Sequence, residues 1–193
     1  MERVLLLTST VSPKDNPFVG TMEQRRIEYI RAIKWYLKNT PYKIVIVDNS
    51  NYDFSLDIRD TRLDTFRFDA PFQNKGKGYG ELGIIDYGLS HSKSLKFASQ
   101  IIKITGRHIV TNIMELLDEC NDVDAVYEDS NLWLKQAYTY FIVAPKSFYI
   151  SLIKYRNFLN DRGGDIWSTS QLLSWLIGSG SKDLIIRFFT RFS

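Results

Sequence analysis

Apolar positions along the chain follow two rhythms. Val4 to Thr8 and Lys43 to Val47 are short continuous apolar runs, the pattern of strands covered on both faces in a parallel sheet. Between them, Ile27, Ile30, Ile33 and Leu37 recur at helical spacing from Thr21 to Lys38, with charges between them, and Pro41 stops the run. A strand, an amphipathic helix and a second strand in so short a stretch form a βαβ unit. Its right-handed crossover makes the strands parallel and lays the helix against the sheet. The expected class is α/β, with a mostly parallel central sheet and helices on both faces.

The remaining pattern extends this unit. A short strand is predicted at Thr65 to Phe68, ahead of Pro71, then a glycine- and lysine-rich loop from Asn74 to Glu81, then a helix marked by Leu82, Ile85 and Leu89. Gln100 to Thr105 reads as the fourth strand. Ile109 to Cys120 reads as a helix with Ile113, Leu116 and Leu117 inward, and Val123 to Tyr127 and Tyr140 to Ala144 as further strands. Pro145 suits the first position of a helix continued by Phe148, Leu152 and Leu159. Helices are expected again around Ile166 to Ile177 and Leu184 to Phe192.

Length and composition narrow the classes. A chain of 193 residues, 44% hydrophobic and 24% charged, has the size and balance of one globular domain rather than a disordered or fibrous protein. Lysine plus arginine exceed aspartate plus glutamate by only 25 to 22, too small an excess for a dedicated nucleic-acid binder. A single cysteine, Cys120, excludes an intramolecular disulfide, and two histidines leave no zinc-type cluster. The apolar run after Met1-Glu2-Arg3 is too short for a signal peptide, and no stretch reaches bilayer-spanning length. The expectation is a cytoplasmic protein.

In open parallel sheets, ligands bind beyond the carboxyl ends of the strands. Those ends are polar here: Thr8, Ser9 and Thr10 leave the first strand, Asp48 to Asn51 the second, and Thr105-Gly106-Arg107 the fourth. Asp48 and Asn49 read equally as turn chemistry. In the loop, Gly76, Gly78 and Gly80 let the backbone approach a ligand, while Lys75 and Lys77 can neutralise phosphate oxygens. The stretch is neither the dinucleotide fingerprint nor a P-loop, and a solvated loop explains it too. Lys103 stands inside a strand expected to be covered on both faces, so it must find a partner or reach solvent. Lys103 and Arg107 together can clamp a diphosphate; a structural salt bridge explains Lys103 as well.

The order of these pieces resembles the A-type nucleotide-sugar glycosyltransferases, Rossmann-like enzymes, and especially bacterial capsule and lipopolysaccharide sugar transferases. The resemblance rests on Val4 to Thr8, Lys43 to Asn51, Asn74 to Ser90 and Lys103 to Arg107, and covers roughly the first 110 residues by layout rather than strict motif. It implies that Asp48 contacts the nucleotide base, with Thr8, Ser9 and Asn49 beside it, and that Lys75, Lys77 and Gly78 flank the nucleotide. Where that family usually carries an Asp-x-Asp motif for Mn²⁺ or Mg²⁺, this chain has Thr105-Gly106-Arg107. The expectation is therefore catalysis without a metal cofactor, with Lys103, Arg107, Lys75 and Lys77 carrying the diphosphate charge. The alternative is Mn²⁺ or Mg²⁺ at Glu128 and Asp129, expected to leave a strand at its carboxyl end. Asp122-Val123-Asp124 opens that strand and is taken as a loop feature. An inverting transferase also needs a carboxylate base. The resemblance places it in Asn160 to Trp167, with Asp165 first and Asp161 second; a helix N-cap is the competing role for Asp165.

The function implied is transfer of a sugar from a nucleotide-diphosphate donor to a bacterial surface glycan or lipid-linked acceptor, with residues 1–110 forming the nucleotide half and 111–193 the acceptor half. The alternatives are a non-catalytic binding or assembly partner and a nucleotidyltransferase. The apolar, basic segment Leu184 to Phe192 allows peripheral contact with an anionic membrane. The chain is short for the resembled family, so a reduced acceptor region or a truncated chain is expected.

Overall fold

The computed structural model describes residues 2–14, 20–71, 76–120, 125–131, 136–158 and 186–189. In chain order these form β1 (Arg3–Ser9), α1 (Met22–Asn39), β2 (Lys43–Asp48), β3 (Leu63–Arg67), α2 (Lys77–His91), α3 (Lys93–Phe97), β4 (Gln100–Thr105), α4 (Ile113–Glu119), β5 (Ala125–Asn131), β6 (Gln136–Ala144), α5 (Lys146–Lys154) and β7 (Ile186–Phe189). The strands make one sheet in the order β3-β2-β1-β4-β6-β5-β7. β1 to β4 pair in parallel, β6 runs antiparallel between β4 and β5, and β5 pairs in parallel with β7.

Alternation along the central strands builds two cores. Leu5 and Leu7 of β1, Ile44 and Ile46 of β2, and Ile102 and Ile104 of β4 face the layer formed by α1 and α4, which contributes Tyr29, Ile33, Tyr36, Ile113 and Leu117. Val4, Leu6, Val45, Val47 and Ile101 face the opposite layer of α2, α3 and α5, which contributes Leu82, Ile85, Leu95, Phe148 and Leu152. Covering on both faces is why these strands read as unbroken apolar runs.

Thr21 caps α1 through a reciprocal capping box with Gln24, which satisfies two end groups at once. Ile33 is buried in this core and Ile30 and Leu37 pack against it, as their spacing predicts, whereas Ile27 is 55% exposed. Arg25, Tyr29, Ala32 and Tyr36 are buried on the same side. Polar anchoring holds the tyrosines there. The Tyr29 hydroxyl accepts the Thr10 N–H at 3.0 Å, and the Tyr36 hydroxyl donates to the His108 carbonyl and accepts the Val110 N–H. These tie α1 to the loops leaving β1 and β4, and the aromatic stems fill the core.

Three further expectations change. The predicted glycine loop runs to Glu81, yet α2 begins at Lys77, so Gly78 and Gly80 lie in its first turn. Glu128 and Asp129 lie within β5 and do not leave it, because that strand extends to Asn131 through register shifts against β6. Ile186–Phe189, expected as part of a helix, is β7, since its backbone finds a partner at the edge of β5. The helix expected around residues 166–177, and Asp122-Val123-Asp124, lie outside the described residues. Among the described residues, no helix is long and apolar enough to cross a membrane.

Candidate active site

Parallel pairing brings the exits of β1, β2 and β4 to one level: Ser9 stands opposite Asp48, and Thr8 opposite Thr105. α2 starts above this edge. Gly76 precedes it at a φ of +88°, a conformation that a side chain disfavours, and Gly80 faces Asn49, where an added Cβ would make an ordinary contact of 3.6 Å with its Nδ2. This places Glu81 over the ends of β1 and β4.

Lys103 is fully buried, and its ammonium forms an ion pair with Glu81. Burial pushes Lys103 below its ordinary pKa while the Glu81 charge and hydrogen bond pull it back. Thr8 Oγ1 and Thr105 Oγ1 donate to the same carboxylate oxygen, Glu81 Oε1, at 3.1 and 3.3 Å, and Lys103 Nζ lies 3.4 Å from Thr105 Oγ1. Glu81 keeps 16% of its side chain exposed. The lysine predicted to clamp phosphate is thus placed beneath the edge, in the structural ion pair that was its competing reading. Glu81, which sequence reasoning passed over as the end of a loop, is its partner. The signal was a buried strand lysine, which demands a carboxylate.

Asp48 is fully buried and saturated. Its Oδ1 accepts from Ser50 N at 2.8 Å, Ser50 Oγ at 2.6 Å and Tyr52 N at 3.0 Å; its Oδ2 accepts from Ser9 Oγ and Val11 N, each at 3.0 Å. Five internal donors leave it no oxygen turned outward, so it stands as the staple of the loops after β1 and β2 rather than as a contact for a base. Ser9 and Thr8 are likewise buried and committed to internal bonds. Asn49 remains half-buried, its Oδ1 accepting from Thr10 Oγ1 at 2.7 Å.

Past β4, Gly106 N donates to the Thr8 carbonyl at 2.9 Å. A Cβ on Gly106 would meet that carbonyl at 3.0 Å and the Tyr29 ring at 3.2 Å. Arg107 then projects from the edge, 30% exposed, with its NH1 bonded to Glu28 at 3.1 Å and its Nε buried without an acceptor among the described residues. A partly occupied guanidinium of this kind retains donors for an anion. Lys77 is exposed in the first turn of α2, and Gly78 is buried beside it. On the far side of that turn, Arg156 stacks on Tyr79 at 4.3 Å and donates to the Tyr79 carbonyl at 3.1 Å.

Lys75, Asp161 and Asp165 lie outside the described residues, and only the backbone of Glu128 and Asp129 is described. Among the described residues, no three His, Cys, Asp or Glu side chains gather as a metal-binding group.

No protein-family model matches the chain, and no curated protein matches it. Solved structures do. A protein from Desulfovibrio desulfuricans G20 assigned as a nucleotide-diphospho-sugar transferase superposes with a TM-score of 0.55 at 9% identity, over 98% of this chain and 80% of that one. A glycosyltransferase involved in glycosylating the major capsid of PBCV-1 gives 0.54 at 9% identity, over 97% and 82%. A cytidylyltransferase from Leptospira borgpetersenii gives 0.55 at 11% identity, over 99% and 76%. At these identities the likeness is one of fold. The chain therefore has the A-type fold of nucleotide-diphospho-sugar transferases, the arrangement that the layout of its first 110 residues resembles.

Proposed function

We propose that the chain is a glycosyltransferase that moves a sugar from a nucleotide-diphosphate donor to a hydroxyl of a bacterial surface glycan or lipid-linked acceptor. The observation that carries this reading is the edge at the exits of β1, β2 and β4, where Glu81 is bonded to Thr8 and Thr105, Gly80 meets Asn49, and Arg107 leaves β4 partly exposed. That edge is where open parallel sheets hold nucleotides. In the reaction, the acceptor oxygen forms a bond to the anomeric carbon as the carbon's bond to the diphosphate breaks. The nucleoside diphosphate leaves with the bonding electrons, and the acceptor proton passes to a carboxylate, for which Asp165, and after it Asp161, is the candidate. Charge on the departing diphosphate is met by Arg107, Lys77 and Lys75, a solution that replaces a divalent cation.

Nucleotidyl transfer is the second reading, favoured by the likeness to a cytidylyltransferase. Products separate the two. Glycosyl transfer releases a nucleoside diphosphate from a nucleotide sugar, whereas nucleotidyl transfer consumes a nucleoside triphosphate and releases pyrophosphate. The primary test is thermal-shift screening against nucleotide sugars, with and without Mn²⁺, followed by product analysis of the hits. A donor at about 100 times its dissociation constant stabilises the fold by about 2.7 kcal/mol. If no nucleotide sugar shifts the transition, the reading fails; if shifts and turnover need Mn²⁺, its metal-independent part fails.

A further inference from the structure

We propose that Glu81 is a ligand-binding carboxylate, accepting a hydrogen bond from a hydroxyl of the bound nucleotide or its sugar, and that Lys103 positions it. This deepens the nucleotide-sugar reading and rests on it.

Three observations carry it. The first is asymmetry at the carboxylate. The donors that Glu81 receives among the described residues, Thr8 Oγ1, Thr105 Oγ1 and Lys103 Nζ, all converge on Oε1. Oε2 is left to accept from elsewhere, and Glu81 retains exposed surface while the lysine beneath it has none. The second is position. Glu81 lies on α2 over the exits of β1 and β4, next to the turn where Gly80 abuts Asn49, so Oε2 belongs to the sheet edge where a ligand sits.

The third is the burial of Lys103. Its neighbours along β4, Ile101, Ile102 and Ile104, are fully buried apolar residues, and an apolar side chain at position 103 would extend that core. A buried ion pair adds little stability over a well-packed apolar pair, so folding alone gives no reason to keep it. Function does. The ammonium and the two threonine hydroxyls on Oε1 fix the rotamer of Glu81, and a carboxylate oxygen so held is a strong acceptor for O–H donors. The pair is neutral as a unit, so it does not repel the diphosphate that Arg107 and Lys77 attract. Ribose and hexoses both offer hydroxyls of the required kind, and the test distinguishes them.

The experiment uses the full chain and calorimetry with UDP, GDP, ADP and CDP, the 2′,3′-dideoxy counterpart of the best binder, and its nucleotide sugar. Glu81→Gln alone would strand a buried ammonium, so the main variant is Glu81→Leu/Lys103→Met, which removes both charges. Glu81→Asp accompanies it, keeping the charge while withdrawing the carboxylate by one methylene. If the hydroxyl is the ribose's, wild type prefers the diphosphate over its dideoxy form by roughly tenfold or more, the worth of a hydrogen bond to a charged acceptor, and both variants erase that preference. If it is the transferred sugar's, the variants instead erase the gain of the nucleotide sugar over the bare diphosphate. Should the double variant not fold, Glu81→Asp decides alone. Unchanged preferences in the folded variants overturn the assignment of Glu81 and leave the nucleotide-sugar reading standing. No binding of any nucleotide to wild type removes both.

Discussion

Asp48 offers the sharpest test of how the site is built, because replacing it separates a staple from a ligand contact. Asp48→Ala deletes the acceptor for five donors. The Ser9 hydroxyl keeps the Val47 carbonyl at 3.0 Å as an alternative, and the Ser50 hydroxyl can turn to water, so neither contributes much to the loss. Val11 N is in a buried bond, and stranding such a donor costs about 1–3 kcal/mol. Ser50 N and Tyr52 N are in part-buried bonds and lose a charged acceptor for a watery one, about 1 kcal/mol each. The sum is about 3–5 kcal/mol, a large share of the usual stability of a domain, and it corresponds to a fall in Tm of roughly 6–20 °C for a chain of this length. Asp48→Asn should do nearly as badly, since whichever way the amide turns, its NH₂ faces donors. Urea titration followed by circular dichroism measures both. A loss under about 1 kcal/mol in either variant, with nucleotide affinity reduced, would refute the staple and return Asp48 to the base-contacting role that the family resemblance implies.

Other expectations follow from the same geometry. Gly106→Ala forces a Cβ against the Thr8 carbonyl and the Tyr29 ring, so it should cost about 1–3 kcal/mol in the same titration; a neutral result would mean that the β4 exit relaxes freely. Burial pushes the Asp57 carboxyl up, but hydrogen bonds from Arg26 and Tyr52 outweigh it and hold the group below its usual value of 3.8. The resulting stability is full above that unfolded-state value and is lost as pH falls through the lower folded one. Asp57→Asn should therefore flatten the fall of Tm as pH drops below 3.8, and an unaltered acid limb would count against it. Asp165→Asn should lower turnover by roughly 10²- to 10⁴-fold with donor affinity kept if Asp165 is the base; near-normal turnover moves the role to Asp161.

What the sequence by itself determined is the sheet's framework. The runs Val4 to Thr8, Lys43 to Val47 and Gln100 to Thr105 mark strands because burial on both faces demands unbroken apolar side chains, and that demand is local. The polar character of their exits, and the need of Lys103 for a partner, were equally legible. Which carboxylate answers Lys103 was not, because Glu81 is separated from it by a helix, and only the docking of α2 over β1 and β4 brings the two together. The inward face of α1 was legible in part. Isoleucine spacing marks the side on which Ile30, Ile33 and Leu37 meet the core, but the roles of Tyr29 and Tyr36 were not written there, because their hydroxyls find backbone partners in loops distant in sequence. Asp48 shows the same division: its position at a strand end is written in the chain, while its conversion from an open ligand group into a saturated staple depends on Ser9 at the end of β1 and Val11 in the loop after it. Periodicity reports what each segment must bury, whereas the pairing of buried polar groups depends on which segments meet, and that is settled only when the layers close.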